Sequence, residues 1–74
     1  MNQVRFTALS VLEIQGPTTA RELAEQLGKR REAAAMILLR SRRDGLVLYR
    51  ARSGRHRLSD RGYDRLAWLR EQSK

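Results

Sequence analysis

Five glycines and a single proline cut this chain into segments that leave no room for an element longer than about four helical turns. Gly16-Pro17, Gly28, Asp44-Gly45 and Ser53-Gly54 each act as a stop signal. The chain has 74 residues and no cysteine, so its one small core forms without a disulfide framework or a thiolate metal site. We therefore read residues 1–74 as a single domain of short elements. Each of them must lend an apolar face to a shared interior.

Between these breaks the hydrophobic period is first that of a helix. Residues 4–15 place Phe6, Leu9 and Leu12 on one side. Thr19 followed by Glu22 forms a capping box, in which the hydroxyl accepts from the Glu22 amide and the carboxylate reaches back to the Thr19 amide. This opens a helix over 20–27 that buries Leu23, Ala24 and Leu27 and ends at Gly28, suited to a left-handed turn. A third helix over 30–43 is rich in Ala, Leu, Met and Arg. After Asp44-Gly45 the period changes to that of strands: residues 46–58 form a basic hairpin around Ser53-Gly54. Ser59 caps a last helix over 60–72 that carries Leu66 and Leu69, with Leu58 and Tyr63 placed as a hydrophobic staple. Gly62 costs that helix up to ~1 kcal/mol relative to alanine.

The charge is as segmented as the fold. Residues 29–57 hold ten basic and two acidic side chains, while the rest of the chain holds six of each, so the formal net charge of +8 lies within that window. A single-signed local field calls for a polyanion, most often nucleic acid. Arginine outnumbers lysine fourteen to two, which leaves compositional bias as an alternative, yet bias alone would not leave both flanks neutral.

The order helix, helix, tight turn, helix, basic hairpin, helix is that of a winged helix-turn-helix domain: three helices, a two-stranded wing and a C-terminal helix. The run Thr19-Ala-Arg-Glu-Leu-Ala-Glu-Gln-Leu-Gly28, then Asp44-Gly-Leu-Val47, resembles the T-x-x-E-L-A-x-x-L-G and x-G-L-V frame of MarR-like bacterial and archaeal regulators. Leu58-Ser-Asp-Arg-Gly62 resembles their L-T-x-x-G opening of the helix after the wing. The resemblance covers roughly residues 6–69 and implies a transcriptional regulator that binds double-stranded DNA as a homodimer. Helix 30–43 would then dock in the major groove, about 12 Å wide, and the wing on the backbone or minor groove.

On that reading the recognition helix offers Lys29, Arg30, Arg31, Glu32, Ala33, Ala35, Met36, Arg40 and Arg43 to DNA, and the wing offers Arg50, Arg52, Arg55 and Arg57. Ala34, Ile37, Leu38 and Ser41 form the core face of the same helix. The chain departs from the family where Lys29, Arg30 and Ser41 replace the usual apolar residue, cap and core leucine. Met36 and Leu39 also stand on an outer face that is usually polar. These two leave three neighbours open: DNA, where Met36 would meet a thymine methyl, a partner, or the core, by burial against the hairpin. On the first helix Val4, Ala8, Val11 and Ile14 form a second apolar side, and Trp68 projects among charged neighbours on the last helix. Val4, Ala8, Val11 and Trp68 are therefore expected at a twofold interface, with Trp68 packing back on the first helix as the alternative.

Two other functions compete: sequence-tolerant architectural DNA binding, and a winged-helix protein-interaction module. Catalysis has no support, because His56 with Asp60 and Asp64 makes no coherent set of nucleophile, base and orienting partner. No cofactor or metal is expected, and a small-molecule effector stays open. The longest apolar run, residues 33–39, is far short of the roughly 20 residues a membrane span needs, and no signal-peptide layout precedes it. The expected location is the cytoplasm, at the nucleoid.

Overall fold

Helix α1 (Gln3–Gln15) leads through a turn at Gly16-Pro17 into a short strand, β1 (Thr18–Thr19), and from there into α2 (Ala20–Leu27). Helix α3 (Arg31–Arg43) follows, then β2 (Val47–Arg50), β3 (Arg55–Leu58) and α4 (Asp60–Gln72). This is a computed structural model, and it describes residues 3–72. Residues 1–2 and 73–74, the ends of the expected single domain, lie outside the described residues. The expected elements are present to within one residue at the helix ends. Arg30 serves as the N-cap of α3 rather than as its first turn.

Local chemistry sets each boundary. The Thr19 hydroxyl accepts from the Glu22 amide at 3.1 Å, and Glu22 Oε1 accepts from the Thr19 amide at 2.9 Å, so both halves of the capping box are made. Gly28 adopts φ 64°, ψ 35°, and the chain turns directly into the α3 cap. At the far end Ser59 Oγ accepts from the Gly62 amide at 3.1 Å and donates to the Gly45 carbonyl at 2.6 Å. One hydroxyl thus ties the start of α4 to the turn that ends α3.

The two-stranded wing is present as β2 and β3, and β1 adds a third strand to its sheet. Its order is β1-β3-β2, all antiparallel, with Thr18 opposite His56 and Thr19 opposite Arg55. Thr18 is buried and its hydroxyl donates to the Gly16 carbonyl at 2.8 Å. Two β-branched residues held extended between a proline turn and a helix cap suffice to extend the hairpin by a third strand.

Leu9 and Leu12 of α1, Leu23 of α2, Ala34 and Leu38 of α3, Leu46, Val47, Leu58, and Leu66 and Leu69 of α4 meet in one core. Helix α2 packs on α3, and α1 packs on α4. Ser41 lies in this core where a leucine is usual, its hydroxyl satisfied by the Ile37 carbonyl at 2.9 Å. Ala8 requires a correction: it is only 1% exposed and belongs to the same core, not to the outer side of α1. A methyl four residues before Leu12 lies close to the core stripe on a helix. Gly62 also has a structural reason. A Cβ there would stand 2.1 Å from the Leu46 carbonyl oxygen, so glycine is what lets α4 approach the strand entrance.

Candidate nucleic-acid interface

Helix α3 divides by exposure as its periodicity predicts. Ala34, Leu38 and Ser41 are buried, whereas Arg31, Glu32, Ala33, Ala35, Met36, Arg40 and Arg43 are exposed, with Lys29 and Arg30 in the turn before them. Leu39 is half-buried, and Met36 keeps 46% of its surface in solvent. Met36 therefore stands on the outer surface, and Leu39 at its margin. Between Arg31 and Arg40 the exposed side chains are Glu32, Ala33, Ala35 and Met36, so little stands between the helix backbone and anything docked on this face. Arg40, Arg42 and Arg43 occupy the last turn, where cations complement the helix dipole.

The wing alternates by register. Val47 faces Leu58 and Tyr49 faces His56; Leu48 faces Arg57, and Arg50 faces Arg55. Val47, His56 and Leu58 are buried, so this side of the ribbon packs inward. Leu48, Arg50 and Arg57 are exposed on the other. Leu48, Arg50, Arg52, Arg55 and Arg57 line one groove together with Pro17. The tip is a tight reversal in which the Ser53 and Gly54 amides donate to the Arg50 carbonyl at 3.2 and 2.9 Å. Like charges directly opposed across a ladder are destabilising, and the Arg50–Arg55 pair is one such case. Arg55 escapes it by turning to Glu22 Oε1, to which it donates at 2.8 Å, and to the Pro17 carbonyl at 3.1 Å. Arg50, Arg52 and Arg57 keep their heads in solvent.

Two contacts are invisible in the sequence pattern, one joining the wing to α3 and one within the wing. The Arg42 guanidinium lies 4.6 Å from the Tyr49 ring centroid, and Tyr49 in turn stacks at 4.7 Å on His56. His56 is 7% exposed and its Nδ1 is buried with no hydrogen-bond partner. Desolvation, aided by the Arg42 charge, pushes its pKa below the ordinary 6.5. The imidazole is thus held neutral beneath a basic surface. Among the described residues no group of three metal-ligating side chains converges, and His56 is a packing residue of the sheet.

Three carboxylates, Glu13, Glu22 and Asp44, are taken up by arginines. Asp44 pairs with Arg5, which also donates to the Arg40 carbonyl, and this joins α1 to the end of α3. Glu13 accepts from both Nη atoms of Arg70, which joins α1 to α4. Hydrogen bonds and charge lower the pKa of both acids, from Arg5 at Asp44 and from Arg70 at Glu13; Glu22 is lowered chiefly by the Thr19 backbone amide. By contrast, Lys29, Arg30, Arg31, Arg40, Arg43, Arg50, Arg52 and Arg57 form no ion pair among the described residues.

On the other side of the molecule a groove between α1 and α4 is floored by Leu9, Leu46 and Leu69 and edged by Arg5, Arg65 and Trp68. Trp68 remains 54% exposed, with the Arg65 guanidinium 5.7 Å from its centroid, so packing on α1 does not bury the ring. Val11 is half-buried against the core, Val4 is half-buried, and Ile14 is 80% exposed. No helix among the described residues is long and apolar enough to cross a membrane.

No protein-family model and no curated protein sequence matches the chain. Solved structures do. A MarR family protein from Bacillus stearothermophilus superposes with a TM-score of 0.85 at 24% identity, over 97% of this chain and 53% of that one. A MarR-like transcriptional regulator from Thermotoga maritima superposes with a TM-score of 0.75 at 19% identity, over 90% and 51%. The chain thus spans about half the length of each of these structures. These likenesses show that the chain has the MarR-like winged-helix fold.

Proposed function

We propose that this chain is a non-enzymatic, double-stranded DNA-binding domain of a transcriptional regulator, acting at the nucleoid in the cytoplasm. Helix α3 enters the major groove, Lys29, Arg30, Arg31, Arg40 and Arg43 hold phosphates along its length, and Ala33, Ala35 and Met36 lie nearest the bases. Arg50, Arg52 and Arg57 of the wing reach the flanking backbone or minor groove. The observation that carries this reading is the concentration of unpaired charge: eight cations of α3, the turn before it and the wing form no ion pair among the described residues, and Asp44 at the end of α3 is taken up by Arg5. A surface kept free of its own counterions is ready to replace those of a phosphate backbone. The half-exposed Trp68, with Val4, Val11 and Ile14 on the adjoining helix, supports a twofold contact between copies.

A second reading, sequence-tolerant binding, is favoured by one specific feature. Glu32 is the only polar side chain exposed between Arg31 and Arg40, which leaves few groups to read base edges by hydrogen bonds. Selection of bound sites from a random duplex pool separates the two. A palindromic motif supports a dimeric regulator, an unenriched pool supports sequence-tolerant binding, and no retention of duplex overturns both. Replacing Arg52 and Arg57 by alanine should lower the log–log salt slope of binding by about 0.9 for each phosphate no longer bound; an unchanged slope removes the wing from the interface.

A further inference from the structure

Glu22 stands in the second helix, outside the basic surface, yet it touches the wing. Its Oε1 accepts from the Thr19 amide at 2.9 Å and from Arg55 Nη1 at 2.8 Å, across 33 residues of sequence. The same Arg55 nitrogen donates to the Pro17 carbonyl at 3.1 Å. Thr19 and Arg55 are also paired in register between β1 and β3. One carboxylate oxygen therefore joins the start of α2, strand β1 and the tip end of strand β3.

We propose that Glu22 and Arg55 are positioning residues for DNA binding, a clasp that sets the angle of the wing against helices α2 and α3. The proposal rests on the reading of α3 and the wing as a duplex-binding surface. The base of the hairpin is anchored on both strands: Arg42 of α3 covers Tyr49 of β2, and His56 and Leu58 of β3 are buried against the helices. At the tip end of β3 the pairing of Thr19 with Arg55 and the Glu22–Arg55 contact do the holding. A ribbon anchored at its base alone can bend toward its tip. Fixing the tip end keeps Arg50, Arg52 and Arg57 at a constant spacing from Arg31 and Arg40, which a rigid polyanion with evenly spaced charges requires.

Arg55 then serves DNA binding without touching DNA. Its charge is answered by Glu22 and its opposition to Arg50 is relieved. This gives the clasp a signature that differs from that of a phosphate contact. A phosphate contact, when removed, lowers both affinity and salt slope. Removal of a positioning contact lowers affinity and leaves the slope in place.

The test compares Glu22→Gln, Arg55→Gln and the double variant with the wild-type chain, by titration of one duplex over a range of salt. Glutamine keeps the reciprocal half of the capping box and removes the charge from Arg55. Arg55→Gln leaves the box untouched. Thermal melts establish that each variant is folded; should Glu22→Gln fail to fold, Arg55→Gln carries the test alone. Both single variants should bind about 5- to 20-fold more weakly, and the double variant no more weakly than either, since each removes the same contact. The slope of log affinity on log salt should stay that of the wild type. A slope smaller by about 0.9 in Arg55→Gln would make Arg55 a phosphate ligand and overturn the proposal. So would Glu22→Gln binding as tightly as the wild type or more so, the result expected if Glu22 is merely a negative charge near DNA. Failure of the wild-type chain to bind duplex refutes the DNA reading itself, and so stands apart from failure of the clasp.

Discussion

Substituting Gly62 with alanine should destabilise this protein, although helix propensity alone predicts the opposite. Alanine is better than glycine in a helix interior by about 1 kcal/mol. At this position the new methyl would stand 2.1 Å from the Leu46 carbonyl oxygen and 3.1 Å from Leu58 Cδ2, where ordinary contact begins near 3.4 Å. The obstruction is backbone, so α4 must retreat by about 1 Å, the difference between the 2.1 Å and 3.4 Å separations. Retreat strains the Ser59 amide bond to Leu46 at 3.0 Å and the Ser59 hydroxyl bond to Gly45 at 2.6 Å. Overpacking costs about 1–3 kcal/mol and a weakened hydrogen bond about 1 kcal/mol, against a gain of about 1. The net loss is about 1–3 kcal/mol, and at roughly 4–8 °C per kcal/mol for a domain of this size even its lower end is visible in a melt. Circular dichroism melts of Gly62→Ala and of Ala67→Gly, the latter at an exposed site on the same helix, separate packing from propensity. Both should melt below the wild type. A Gly62→Ala protein that melts at or above it would refute the close approach of α4 to Leu46.

Ala35→Glu adds a charge on the exposed face of α3 without emptying the core, so duplex binding should be lost while the melt stays near that of the wild type; retained binding would exclude α3 as the docking element. Trp68→Glu should convert a sedimenting dimer at micromolar concentration into monomers, and a wild-type monomer that binds DNA tightly would refute the twofold contact. The lowered pKa of His56 makes stability pH-dependent: it is fully present above the unfolded value of 6.5 and lost as pH falls through the lower folded value. Melts from pH 8 to 5 should show this loss, and His56→Gln should flatten it; identical pH profiles would count against a neutral buried imidazole.

What the sequence discloses here is what local chemistry decides. Thr19 with Glu22, Gly28 and Ser59 mark helix ends through bonds spanning three or four residues, and the periodicity of α3 separates Ala34 and Leu38 from Ala35 and Met36. Strand β1 was illegible because two residues carry no period, and the partner that makes them a strand, β3, lies far along the chain. The same holds for Ala8, whose burial depends on how α1 meets its neighbours, and for Gly62, whose use depends on Leu46. Within the candidate site, the basic residues of α3 and the wing were readable as charge. The engagement of Arg55 by Glu22 and of Arg42 by Tyr49 was not, because a charge count gives the number of cations and not the direction in which each is drawn.

The bonds at the foot of the hairpin bear on how such a domain changes over evolutionary time. Ser59 closes the excursion of residues 47–58 through its amide to Leu46 and its hydroxyl to Gly45. The tip, residues 51–54, therefore hangs from a sealed neck and adds nothing to the core. Lengthening such a loop costs only about 0.6 kcal/mol per doubling. Insertions and exchanges there can alter reach and charge while the helices stay as they are, so the tip is the part of this molecule freest to change.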